Sequence, residues 1–206
     1  MPGRFCRLEP LDVERHADAL YQAYAESPDS SDWTYLFSER PPDLAACHAF
    51  VATAAASRDP LHFAIIDAGT RTAVGTAALM RIDPTHGVIE VGAITYSRRL
   101  QKTRAGTEAM YLLMRRAFDE LGYRRYEWKC DNLNAPSIAA AGRYGFTFEG
   151  VFRQAIVYKG RSRDTAWFSI LDTEWPTVRA AFESWLSDDN FDADGRQRRS
   201  LAAIRG

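Results

Sequence analysis

The period of apolar and polar residues changes along the chain and marks out its elements. The run Arg4-Phe5-Cys6-Arg7-Leu8-Glu9-Pro10-Leu11 alternates, as a half-buried strand does. Asp12 then predicts an N-cap for a helix reaching about Tyr24, with Val13, Ala17, Leu20 and Tyr24 on one face. A second helix is predicted over residues 43–57, with Leu44, Cys47, His48 and Val51 at helical spacing. Residues 28–42 between them are irregular and aromatic, with Trp33, Tyr35 and Phe37 set among Asp29, Ser30, Ser31 and Asp32.

A meander follows. Leu61-His62-Phe63-Ala64-Ile65-Ile66 reads as a strand, Asp67-Ala68-Gly69-Thr70 as a turn, and residues 73–82 as the next strand. After the turn at 83–87, the apolar run Val88 to Tyr96 is long enough for a third strand. A helix is predicted over 108–121, where Met110, Leu113, Met114, Ala117 and Leu121 form a stripe stopped by Gly122. Residues 125–130 read as a strand, and a short helix after Asn134, with Ile138 and Ala141 inward, ends at Gly145. Strands over 146–158 and 164–171 are joined by the predicted hairpin 159–162, and an amphipathic helix with Pro176 in its first turn covers 175–186. The order β-α-α-β-β-β-α-β-α-β-β-α predicts the α+β class, with a mixed, mostly antiparallel central sheet flanked by helices.

A length of 206 residues fits one domain over 1–187 with an appended tail over 188–206. In that tail Asp188, Asp189, Asp192 and Asp194 precede Arg196, Arg198, Arg199 and Arg205. It reads as a linker, a docking segment, or a short last helix using Leu201, Ala202 and Ile204. A formal net charge of −1 gives no global basic field, so nucleic acid is not an expected partner. No apolar run approaches membrane-spanning length and none near the N-terminus suits export, so no membrane partner and a cytoplasmic location are expected. Cys6, Cys47 and Cys130 are odd in number and far apart; His16, His48, His62 and His86 are scattered and read as surface or cap residues. Neither set has disulfide or ligand spacing, and no metal is expected.

Residues 90–137 carry the most chemistry. A strand containing Glu90 leads into the polar turn Gln101-Lys102-Thr103-Arg104-Ala105-Gly106-Thr107, then a helix, a second strand, and Asn132-Leu133-Asn134-Ala135-Pro136-Ser137. Such a turn sets backbone N–H groups at a helix N-terminus, where they and the helix dipole attract an anion. The same turn would equally serve as an ordinary solvated connection. Glu90, among Val88, Ile89, Val91 and Ile94, suits a general base for an amine, or an edge carboxylate paired with an arginine or a backbone N–H. Asn134-Ala135-Pro136-Ser137 is also what a capped helix start looks like.

Element order and these motifs together resemble the Gcn5-related N-acetyltransferase (GNAT) superfamily, and within it the RimJ/RimL-like branch of ribosomal-protein N-terminal acetyltransferases. The resemblance spans about residues 4–175. It is carried by Gln101 and Gly106 of the acyl-CoA loop, by Asn134-x-x-Ser137, by Gly145-Phe146 and by the run 161–168. Arg104 departs from the family, standing where a glycine is usual.

The resemblance implies a GNAT fold and transfer of an acetyl group from acetyl-CoA, or another short acyl-CoA, to a primary amine. The amine belongs to a small molecule or a protein N-terminus. It further implies that Gln101, Lys102, Thr103, Arg104, Ala105, Gly106 and Thr107 hold the pyrophosphate. A backbone N–H among Ala93, Ile94 and Thr95 of a bulged fourth strand would receive the thioester carbonyl. Asn134 is implied as a cofactor group and Ser137 as the acid for the departing thiolate. The tyrosine many members use four residues before the Gly-Phe glycine is replaced by Ala141, which gives Ser137 more weight.

Trp33, Tyr35 and Trp128 are candidates for acceptor contact or for core packing. Cys130 is set aside as a nucleophile, since direct transfer needs no covalent intermediate and no histidine neighbours it in sequence. A catalytically silent acyl-CoA sensor and a succinyl-CoA-using enzyme are the alternatives. A homodimer stays open.

Overall fold

Local capping chemistry sets many of the boundaries in the computed structural model, which describes residues 1–206. After strand β1 (Cys6–Pro10), the Asp12 side chain accepts from the Arg15 amide and starts helix α1 (Val13–Ala25). His16 is buried and closes that cap from the other side, its Nδ1 accepting the Asp12 amide at 3.0 Å. Asp43 caps α2 (Leu44–Ala56) in the same way. Strands β2 (Leu61–Asp67), β3 (Ala73–Asp83) and β4 (Val88–Tyr96) follow. The turn between β2 and β3 is knotted by Asp67 Oδ1, which accepts from the Gly69 and Thr70 amides.

The helix predicted over 108–121 differs at both ends. Helix α3 begins earlier, at Arg104, and runs to Arg115, after which residues Arg116–Glu120 form a wider π-turn. Met110, Leu113, Met114 and Ala117 are buried, but Leu121 is 45% exposed. The extra residue in that turn rotates Leu121 off the stripe that a regular 3.6-residue period would keep.

Strand β5 (Arg125–Asp131), helix α4 (Ala135–Tyr144), strands β6 (Thr147–Tyr158) and β7 (Arg161–Leu171), and helices α5 (Trp175–Leu186) and α6 (Leu201–Arg205) complete the chain. Gly145 ends α4 at φ +102°. The β6–β7 hairpin is tighter than the predicted four-residue connection. Lys159 and Gly160, at φ +49° and +71°, form a two-residue turn, so that Tyr158 pairs with Arg161. The seven-stranded sheet has the order β1-β2-β3-β4-β5-β7-β6, and the fold is α+β.

The chain divides into two compact units, Met1–Asp83 with Ile89–Leu113, and Pro84–Val88 with Met114–Gly206. In the first, α1 and α2 pack on each other and on the meander. Its core gathers Leu11, Ala17, Leu20, Tyr24, Trp33, Cys47, Val51 and Ile66. The second is built on aromatic contacts: Phe118 stacks on Trp175 at 5.1 Å, Tyr126 on Phe146 at 5.8 Å and Tyr144 on Phe182 at 6.0 Å. Its C-terminal segment ends in α6, with Leu201 buried and Arg205 donating to the Arg143 and Gly142 carbonyls at the end of α4.

One buried carboxylate anchors the N-terminal strand. Glu108 on α3 accepts from the amides of Arg4, Phe5 and Cys6 at 2.8, 2.7 and 2.8 Å. Glu108→Ala is expected to lower unfolding free energy by about 3 kcal/mol, because it leaves three donors without their charged partner. Urea denaturation checks this, and a loss below about 0.5 kcal/mol would show that water replaces the carboxylate at little cost.

Candidate active site

Strand β4 is not regular. Ala93, exposed near its middle, has φ +47°, a left-handed conformation that an alanine adopts only where its surroundings impose it. The neighbouring glycine is closely packed: a Cβ on Gly92 would lie 2.3 Å from Met80 Sδ and 3.5 Å from Glu90 Oε1. Beyond the kink, the Thr95 carbonyl accepts from Tyr24 Oη at 3.4 Å. The Ser97 amide and hydroxyl both reach the Val74 carbonyl.

Glu90 is 4% exposed, and its Oε2 accepts from Arg81 Nη1 at 2.9 Å. Arg81, itself at φ +48°, is held through its amide to Asp59 Oδ1 at 2.7 Å. The carboxylate is thus charge-paired, with the arginine half exposed.

The turn after β4 is closed by its own side chains. Gln101 Nε2 donates to the Tyr96 carbonyl at 3.0 Å, and Thr103 Oγ1 to the Leu100 carbonyl at 2.8 Å. Thr103 is also the cap of α3: its Oγ1 accepts the Gly106 amide at 3.0 Å and its carbonyl the Thr107 amide at 3.2 Å. These bonds leave the amides of Lys102 and Ala105 untaken at the helix start. Lys102 sits at φ +60°. Gly106 is fixed by contact rather than by φ, since a Cβ there would stand 2.5 Å from the Leu100 carbonyl oxygen. The Arg104 guanidinium lies 5.4 Å from the Phe5 ring centre.

Two arginines that sequence reading passed over fasten this turn to the end of α1 and to the irregular segment. Arg98 pairs with Asp32 at 3.1 Å, and Arg99 with Glu26. Within that segment Trp33 is 2% exposed, set edge-on to Tyr24 at 5.2 Å and to Phe50 at 5.8 Å. It is a core residue and presents no face to an acceptor. Tyr35 is half-buried and Phe37 is 62% exposed.

In the second unit, Asn134 Oδ1 accepts the Ser137 amide at 3.1 Å, so the asparagine does cap α4. The half-buried Ser137 hydroxyl accepts from Trp128 Nε1 at 3.0 Å. A hydroxyl that accepts there keeps its own proton to donate elsewhere. Trp128 is 5% exposed and packs on Phe146 and Tyr144, which makes it a support for Ser137 instead of an acceptor contact. Burial pushes the Cys130 thiol up, with hydrogen bonding to Ser137 working the other way. A thiol kept protonated is a poor nucleophile. Asp131 ties the strand end together, accepting the Leu133 amide and Tyr158 Oη, both at 2.8 Å.

The profile of the acetyltransferase (GNAT) domain matches residues 6–147, and the chain belongs to that family of acetyltransferases. A GCN5-related N-acetyltransferase from Brucella melitensis has a crystal structure that superposes with a TM-score of 0.97 at 48% identity, covering 99% of this chain and 92% of the other. A GNAT-family structure from Chromobacterium violaceum gives 0.78 at 42% identity, over 85% and 87%. The uncharacterized N-acetyltransferase p20 of Bacillus licheniformis is 33% identical over 113 residues, 55% of this chain. That match spans 63% of p20, less than two thirds of its length.

Proposed function

We propose that this chain is an N-acyltransferase that moves an acetyl group from acetyl-CoA to a primary amine by direct attack, as in the RimJ/RimL-like branch. The observation that carries the reading lies in one stretch: a left-handed Ala93 in β4, then a Thr103-capped turn whose Lys102 and Ala105 amides are not taken. A kinked strand frees an N–H for a carbonyl oxygen, and amides at a helix start suit a pyrophosphate.

Acetyl-CoA, when bound, supplies an activated thioester. The amides of the turn, with Lys102, hold its phosphates; Arg104 reaches them only by leaving the Phe5 ring. An N–H among Ala93, Ile94 and Thr95 stabilises the charge developing on the carbonyl oxygen. Glu90, directly or through water, takes the proton from the amine, and its hydrogen bond from Arg81 holds the carboxylate in place for that task. Ser137, with its oxygen already accepting from Trp128, gives its proton to the thiolate. Tyr35 stands as the remaining aromatic candidate for acceptor contact.

A thiol-release screen over a panel of amines, with acetyl-CoA and succinyl-CoA in parallel, tests the activity. Release above the amine-free rate with at least one amine is expected, with the acetyl donor preferred. Cofactor binding with no release against any amine would instead indicate a silent acyl-CoA sensor.

Two substitutions probe the parts. Gly106→Val drives a side chain into the Leu100 carbonyl and should weaken acetyl-CoA binding by more than about tenfold in calorimetry, with the fold retained by circular dichroism. Unchanged affinity would remove the turn from the cofactor site. Glu90→Gln should lower kcat by about 10- to 100-fold with the amine KM nearly constant. An equal loss in both parameters would identify Glu90 as purely structural.

A further inference from the structure

Strand β3 outruns its neighbour, and the carboxylate of Asp59 takes over where the ladder stops. The β2–β3 pairing begins at Leu61 opposite Leu79, while β3 continues to Asp83. Extending that register sets residue 59 level with residue 81, but Pro60 has no N–H to carry the ladder on. Asp59 meets the loose end with its side chain instead: Oδ1 accepts the Arg81 amide at 2.7 Å, and Oδ2 the Ile82 amide at 3.3 Å.

Consecutive amides of an extended strand point to opposite edges. Here both turn to one carboxylate, because Arg81 takes φ +48° and the two N–H groups form a concave, anion-holding pair. A left-handed arginine persists only where its surroundings impose it, and a single turned residue re-aims the side chain it carries. The half-exposed guanidinium then donates from Nη1 to Oε2 of the buried Glu90 at 2.9 Å.

Fixing Oε2 sets where the other oxygen faces. Oε1 lies beside Gly92, 3.5 Å from the position a Cβ would take there, next to the kink at Ala93. A chain of contacts therefore runs from an exposed loop acid, through the Arg81 backbone and side chain, to the carboxylate assigned to the amine's proton. We propose that Asp59 is a positioning residue for the reaction: by holding residue 81 left-handed, it keeps Glu90 aimed at the amine. The inference rests on the acyltransferase reading with Glu90 as base, and adds a residue to which that reading gives no part. Orientation of a reacting group carries much of a rate, so a loss of aim falls on kcat more than on binding.

Two measurements separate the inference from that reading. The first uses the best acceptor from the amine panel: Asp59→Ala should lower kcat about tenfold and leave the KM of both substrates within about twofold. Asp59→Asn keeps one acceptor oxygen and should recover about a third of the wild-type rate or more. Arg81→Met should reproduce the Asp59→Ala loss, and adding Asp59→Ala to Arg81→Met or to Glu90→Gln should cost less than about twofold more. The second measurement needs no turnover: the Arg81 guanidinium is followed by ¹⁵N NMR, where a hydrogen-bonded group rotates slowly and gives resolved Nη signals. Resolved signals are expected in the wild type, and they should merge in Asp59→Ala.

Asp59 is exposed, so the fold should survive its replacement, which circular dichroism checks. If Asp59→Ala does not fold, Asp59→Asn alone and in the Glu90→Gln background decides the matter. Wild-type kcat in Asp59→Ala, with release observed, overturns the inference and leaves the acyltransferase intact. A loss that returns in full in the Glu90→Gln background does the same, because Asp59 would then act by another route. Arg81 signals that stay resolved in Asp59→Ala overturn the inference regardless of activity. Merged signals, in a protein releasing no thiol with any amine, would support the Asp59–Arg81 clamp and contradict the acyltransferase.

Discussion

Gly106 approaches the Leu100 carbonyl so closely that even a methyl group there would stand 2.5 Å from the oxygen. That contact draws the first turn of α3 against the strand-to-helix connection. With the two in register, Thr103 can cap the helix and close the turn at the same time. The remaining N–H groups at the helix start then belong to a pre-formed feature, which need not be ordered when an anion arrives. Tyr96 braces the arrangement from the strand side, its hydroxyl donating to the Gly106 carbonyl at 3.0 Å.

Several longer-range contacts hold that turn in place. Glu108, four residues into the helix, gathers the amides of Arg4, Phe5 and Cys6, where the chain enters β1, and so ties α3 to that strand. Burial, reinforced by the neighbouring Glu108 carboxylate, pushes the Cys6 thiol up and keeps it a neutral core group. Arg98 and Arg99 fasten the turn to the irregular segment after α1. Their individual energies are small because they are partly exposed, so their effect is on position more than on stability. Further along the chain, the Trp128 indole fixes the Ser137 oxygen while the aromatic contacts of that unit fix the indole.

The legible parts of the molecule are those whose physics is local. Asp12 and Asn134 were readable as caps because each bonds an amide three residues on. Gly145 was readable as a helix stop because αL is cheap only for glycine. What could not be read needs the fold. Ala93 gives no sign that it will take φ +47°, since the cause lies in how β4 packs. Glu108 bonds residues 102 to 104 positions away, and on a helical wheel it is simply another acid. Trp33 and Trp128 look alike as aromatics near a groove, and only their burial shows that one fills the core and the other supports Ser137. The π-turn at 116–120 has no compositional mark, so the apolar stripe was extended one residue too far, to Leu121.

The central claim is that the helix start after Leu100 grips a diphosphate through its backbone. It is tested most directly by titrating coenzyme A into ¹⁵N-labelled protein and following the amide resonances. The account predicts that Lys102 and Ala105 show the largest downfield proton shifts and saturate together with one affinity. Saturable shifts confined to other segments, with the Lys102 and Ala105 amides unmoved, would contradict it.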